Sequence, residues 1–143
     1  MASSQPYGTL RILLFVISVI EALAGLCLLF ASSWVLSLAS GSVEFPNAGF
    51  VLILVKAIGI AAIASGYLLC AAARNPARYL AVIDTFAFVL LAASALSVYA
   101  SVTLHVDPFY PGPYLIVRAV LQLILAVVII ALRPRGATIQ PST

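Results

Sequence analysis

Charge is what this sequence lacks most. Only 8% of its 143 residues are Asp, Glu, Lys or Arg, while 64% are apolar; a soluble domain carries roughly 25% charged and 45–50% apolar residues. A water-soluble globular domain is excluded on that ground. The seven basic and four acidic side chains give a net charge of +3, but the basic ones are scattered at segment ends. They form no phosphate-binding patch, so a nucleic-acid partner has no support.

Chemistry-bearing residues are scarce too. Histidine occurs once, as His105, which rules out a haem with two histidine ligands or a His-rich metal centre within one chain. His105 beside Asp107 is a two-ligand suggestion at most, and no metal site is assigned. Cys27 and Cys70 are the two cysteines, with no CxxC pair for thiol exchange. They fall in different apolar segments toward opposite faces of a bilayer, which argues against a disulfide and for plain apolar packing. There is no Gly-rich phosphate loop, no GxSxG elbow and no paired-acid constellation, so no catalytic residue or cofactor is implied.

What the sequence does have is long apolar runs. The cores lie at about residues 10–31, 49–73, 79–104 and 114–132, each long enough to cross about 30 Å of hydrocarbon at 1.5 Å per residue. The first run continues to Leu38, but Ser32, Ser33 and Trp34 suggest an interfacial end. Its length and its acidic residue favour retention over cleavage as a signal peptide. In lipid such runs must be helices, because the backbone has no water to bond. The expectation is an all-α polytopic membrane protein, a single domain over residues 1–143 that forms a four-transmembrane-helix bundle.

The connections set the orientation. Arg74 and Arg78 flank the middle turn, Arg133 and Arg135 follow the last span and Arg11 opens the first, whereas the other two loops carry only Glu44, His105 and Asp107. The positive-inside rule then puts both termini and the Asn75-Pro76 turn in the cytoplasm. Trp34, Phe45, Phe109, Tyr110 and Tyr114 suit an outer interfacial belt, or a partner-docking surface, with Pro108, Pro111 and Pro113 stiffening the second outer loop. Lipid is thus the expected partner; other membrane subunits or self-association stay open.

Four charged residues lie inside the spans. Glu21 is about ten residues into the first, near the midplane, where a carboxylate is expected to face protein or water. Ser18, Glu21, Ala22 and Gly25 share a helical face that a neighbouring helix can approach closely. Lys56 and Arg118 enter the second and fourth spans from the outside to similar depths, so Glu21 is expected to pair with Lys56, Arg118 or both. Gln122, one turn below Arg118, would complete the hydrogen bonding. Asp84 lies nearer the cytoplasmic interface, within expected reach of Arg11, Arg74 or Arg78 as a second, structural ion pair. The Glu21 group reads either as a buried salt bridge that fixes helix packing or as a ligand site. Ala57, Ala61 and Ser65, and Ala93, Ser97 and Ser101, form small-residue stripes expected to be packing faces, of the bundle itself or of an oligomer.

The stretch Val55-Lys56-Ala57-Ile58-Gly59 through Gly66-Tyr67-Leu68-Leu69, followed by Ala72-Ala73-Arg74-Asn75-Pro76-Ala77-Arg78-Tyr79, resembles small bacterial four-helix membrane proteins of the DoxX-like type. There a small-residue second helix ends in a similar basic, Asn-Pro-containing turn. The resemblance covers about a third of the chain. It implies the four-helix fold and an accessory role beside membrane redox or quinone-linked systems. A glutamate in the first of four helices is also similar to the small multidrug resistance transporters, but Lys56 and Arg118 depart from that pattern, since they would repel a cationic substrate. Six arginines to one lysine and Ala-rich spans would suit a high-GC bacterium and its inner membrane. The leading expectation is an accessory or assembly subunit of a larger membrane complex. The alternative is a small transporter or lipid-binding protein using the Glu21, Lys56 and Arg118 site.

Overall fold

The computed structural model describes residues 7–40, 48–103 and 112–134. They fold into five helices: α1 (Gly8–Phe30), α2 (Ser32–Ser40), α3 (Ala48–Arg74), α4 (Leu80–Thr103) and α5 (Gly112–Ala131). All but α2 are long and apolar enough to cross a bilayer, and the chain is a multi-pass membrane protein built on a four-helix bundle. The expected spans agree with these helices to within a few residues. The first run ends sooner than its hydropathy suggests. Ala31 leaves helical geometry (φ −110°, ψ 26°) while its N–H still bonds the Cys27 carbonyl, and the chain restarts as the nine-residue α2. At roughly 1.5 Å per residue α2 is too short to span.

Local chemistry explains the other boundaries. After Arg74, Pro76 cannot donate to an α-helical ladder and disfavours helical geometry at Asn75. Asn75 instead closes the turn: its side-chain oxygen accepts from the Arg78 N–H at 3.3 Å, and its carbonyl accepts from Arg78 and Tyr79 at 3.1 and 3.3 Å. Pro76 is fully buried beneath the turn. Pro113 occupies the first turn of α5, where a missing N–H costs nothing because that group has no intrahelical acceptor.

The helices assemble as two antiparallel pairs, α1 with α3 and α4 with α5. The first pair meets through glycines. The Gly25 and Gly59 backbones approach so closely that a Cβ on either would stand within 2.8 Å of the other's carbonyl oxygen, and one on Gly66 would stand 2.8 Å from the Ser18 carbonyl oxygen. Hydrocarbon solvates apolar side chains as well as protein does, so such close backbone packing is what holds membrane helices together. The second pair is joined by Ser94, whose buried hydroxyl donates to the Ala119 carbonyl at 2.8 Å. Ser18, Ser97 and Ser101 return their hydroxyls to carbonyls of their own helices.

The two pairs share one core, and it sits at the arginine-bearing end. Leu10, Leu14 and Ile17 of α1 meet Leu69, Ala72 and Ala73 of α3, Ile83, Ala87 and Leu90 of α4, and Ala126 and Ile129 of α5. Toward the other end, burial retreats into each pair separately, at Gly25 and Gly59 in one and at Ser94, Ser97, Leu115 and Ala119 in the other. Large side chains such as Phe15, Ile20, Phe88 and Ile124 face outward, as expected where the solvent is lipid.

Within the bundle the interface of α3 is the Gly59, Ile63 and Gly66 face; Ala57 and Ala61 are exposed, so their stripe is not the packing face of the single bundle. The reason is backbone approach, which an alanine Cβ already limits. Cys27 is likewise exposed instead of packed, and both cysteines are free. Glu44, Phe45, His105, Asp107 to Tyr110 and Arg135 lie outside the described residues.

Candidate functional site

Glu21 stands near the middle of the 23-residue α1, on the flank of the stripe that Ser18, Ala22 and Gly25 present to α3. The stripe is consumed by the α1–α3 contact, which turns the carboxylate sideways toward the place where the helix pairs diverge. There it lines a groove of about 340 Å³ with Ser65, Leu68 and Leu69 of α3 and Ala81, Val82, Thr85, Phe86 and Val89 of α4. Glu21 is half-buried. The walls are aliphatic and aromatic, and the polar groups are the carboxylate and the hydroxyls of Ser65 and Thr85. Among the described residues none of these three side chains has a hydrogen-bond or ion-pair partner.

The structure does not bring Glu21 together with Lys56 or Arg118. Gly66 packs against Ser18 and Ala22, level with Glu21, while Gly59 packs against Gly25, Leu28 and Leu29. Lys56 lies ten residues along α3 from Gly66, roughly 15 Å at 1.5 Å per residue. That is the level where α1 ends, and Lys56 is exposed. Arg118 adjoins Ala119, which receives the Ser94 hydroxyl. Ser94 is five residues farther along α4 from the arginine-bearing end than Val89, the last α4 residue of the groove in that direction, and Arg118 is exposed as well. Glu21 sits too far along the bundle from either to pair with it. Gln122 is half-buried, and its Oε1 is buried with no hydrogen-bond donor among the described residues. It therefore does not complete a network with Arg118.

Asp84 has a different partner from the ones expected. Its Oδ2 accepts from the Arg133 Nη2 at 2.6 Å, with both side chains a little under half exposed. Arg133 wins because α4 and α5 are antiparallel neighbours, which brings the start of one level with the end of the other. Arg11 and Arg78 are occupied elsewhere: the Arg11 Nη2 donates to the Arg74 carbonyl at 3.0 Å, and the Arg78 guanidinium lies 5.8 Å from the centre of the Tyr79 ring.

Sequence reasoning missed Thr85 and Phe86 as neighbours of Glu21. The signal was present in the short Asn75–Tyr79 turn, which makes α3 and α4 antiparallel and sets residues at similar distances from Pro76 side by side. Comparison with known proteins finds no matching family model, no matching curated protein and no matching solved structure.

Proposed function

We propose that this chain is a ligand-binding protein of the bacterial inner membrane, in which the groove between α1, α3 and α4 takes up an amphiphile from within the bilayer and Glu21 recognises its polar head. The observation that carries this reading is the position of Glu21 in a lateral groove without a partner among the described residues. A carboxylate at this depth is costly unless a donor or cation meets it. The groove is of small-molecule size, with apolar walls and few polar groups, as such sites generally are. Its chemistry favours a ligand with an aliphatic or aromatic body and an ammonium or hydroxyl head, the head bound by Glu21 and steadied by Ser65 and Thr85, with Phe86 beside it. Lys56 and Arg118 lie far enough out that their long side chains can carry the charge to the outer interface, so they do not oppose a cationic head as strongly as their presence in the sequence suggested.

The test is equilibrium binding of a long-chain alkylamine probe and its alcohol analogue to the protein in nanodiscs. Glu21→Gln is expected to melt at the wild-type temperature and to lose at least about ten-fold in affinity, equivalent to about 1.4 kcal/mol. Unfolding of Glu21→Gln, or unchanged affinity, would overturn the reading.

A second reading is an accessory or assembly subunit, to which the DoxX-like resemblance of the α3 stretch also belongs. It is favoured by Lys56 and Arg118, which are exposed on the membrane-spanning surface and could meet acidic residues of a neighbouring subunit. A stoichiometric companion retained in mild detergent and lost on Arg118→Gln would support it. A lone monomer or homodimer would sink it.

A further inference from the structure

A second groove, of about 320 Å³, lies on the other flank of the α1–α3 pair at the arginine-bearing end. Its lining is Arg11, Ile12 and Phe15 of α1 with Cys70, Ala73 and Arg74 of α3. The two arginines sit together at one mouth because the Arg11 guanidinium reaches across to the carbonyl of Arg74, the last residue of α3. That contact sets Arg11 against the negative end of the α3 dipole, which offsets part of its charge. The Arg74 side chain is exposed and has no ion pair among the described residues. Four arginines, Arg11, Arg74, Arg78 and Arg133, gather at this end, and the one described acid there, Asp84, is taken by Arg133. Arg74 therefore gives the mouth a positive charge that no described acid offsets.

From the arginines the groove runs into the span. Phe15 and Cys70 each lie four residues inward of Arg11 and Arg74, about 6 Å deeper at 1.5 Å per residue. Ile12 and Phe15 are exposed along it. A cationic mouth at the depth of the lipid headgroups, continued by an apolar channel toward the midplane, matches one kind of molecule that is always at hand. We propose that this groove binds an anionic phospholipid of the inner leaflet, with its phosphate at Arg74 and Arg11 and the start of one acyl chain along Ile12, Phe15 and Cys70. Inner-leaflet anionic lipid is drawn to basic residues beside membrane spans in general; the groove would convert that attraction into a defined site. This inference is independent of the Glu21 groove, which lies on the α4 side.

The full-length protein is released from bilayers containing equal amounts of phosphatidylglycerol and phosphatidylcholine, and the lipids it retains are counted by native mass spectrometry. Wild type is expected to retain phosphatidylglycerol preferentially. Arg74→Gln should lower that preference about five-fold, the effect of one arginine near an anionic lipid surface. Cys70→Trp, which fills the channel but leaves both arginines, should lower it as well, and Arg78→Gln should not. Equal retention of the two lipids by wild type, or an unchanged preference in Arg74→Gln, overturns the proposal. So does displacement of the lipid by glycerol phosphate at equal concentration, which would make this a site for free phosphate and not for a lipid.

Discussion

A Cβ on Gly25 would stand 2.6 Å from the Gly59 carbonyl oxygen, and one on Gly59 would stand 2.8 Å from the Gly25 carbonyl oxygen. Each glycine marks where the other helix's backbone passes, and neither backbone can yield without shifting the whole of α1 against α3. Gly25→Val is therefore expected to destabilise the fold by about 2 kcal/mol, within the usual range for overpacking. Gly8→Ala, where nothing lies within 4 Å, should be neutral or stabilising by up to about 1 kcal/mol. Unfolding by SDS in mixed micelles measures both.

Ser94 makes a buried side-chain hydrogen bond that ties α4 to α5. Such bonds between membrane helices contribute about 0.6 kcal/mol on average, so Ser94→Ala should lower stability by about that amount. Ser97→Ala is the control. Its hydroxyl bonds the Ala93 carbonyl of its own helix, and its removal should change the unfolding midpoint less.

Gln122 presents a different balance. Its Oε1 is buried without a donor among the described residues, and an unsatisfied buried polar group typically costs about 1–3 kcal/mol. Gln122→Leu is expected to raise the melting temperature. A fall would mean that the amide holds a partner essential to the fold.

The Asp84–Arg133 pair is close but nearly half exposed, which places it in the class worth about 0–1 kcal/mol. Asp84→Asn should cost no more than that, and the difference from wild type should shrink as salt is raised. A loss of several kcal/mol would show that the pair is shielded far more than its exposure indicates.

Glu21 and Lys56 were expected partners, and a double-mutant cycle tests their separation. With roughly 15 Å between their levels along the helix axes, the coupling energy in stability between Glu21→Gln and Lys56→Gln should lie within about 0.5 kcal/mol of zero, as for independent sites. The same holds for Glu21→Gln with Arg118→Gln.

The class of the fold was determined by the sequence alone, because in hydrocarbon a long apolar run has no option but to satisfy its own backbone as a helix. The Asn75-Pro76 turn was legible for a local reason as well: proline's missing N–H acts on its immediate neighbours whatever the rest of the chain does. The expected orientation rests on where Arg11, Arg74, Arg78 and Arg133 fall, since charge near a span is read one loop at a time.

The ion pairs were not legible. Reach along a sequence does not say which helix stands beside which, and all that depth could supply for Glu21, Lys56 and Arg118 was a shared neighbourhood. Only the packing decided that Gly25 and Gly59 lock α1 to α3 in a register that leaves Lys56 level with the end of α1. The same packing set Arg133 beside Asp84, turned Arg11 to the Arg74 carbonyl, and left Glu21 facing Ser65 and Thr85 across a groove. Partner choice depends on interhelical register, and register is set by backbone contacts tens of residues apart in the chain, which no local pattern encodes.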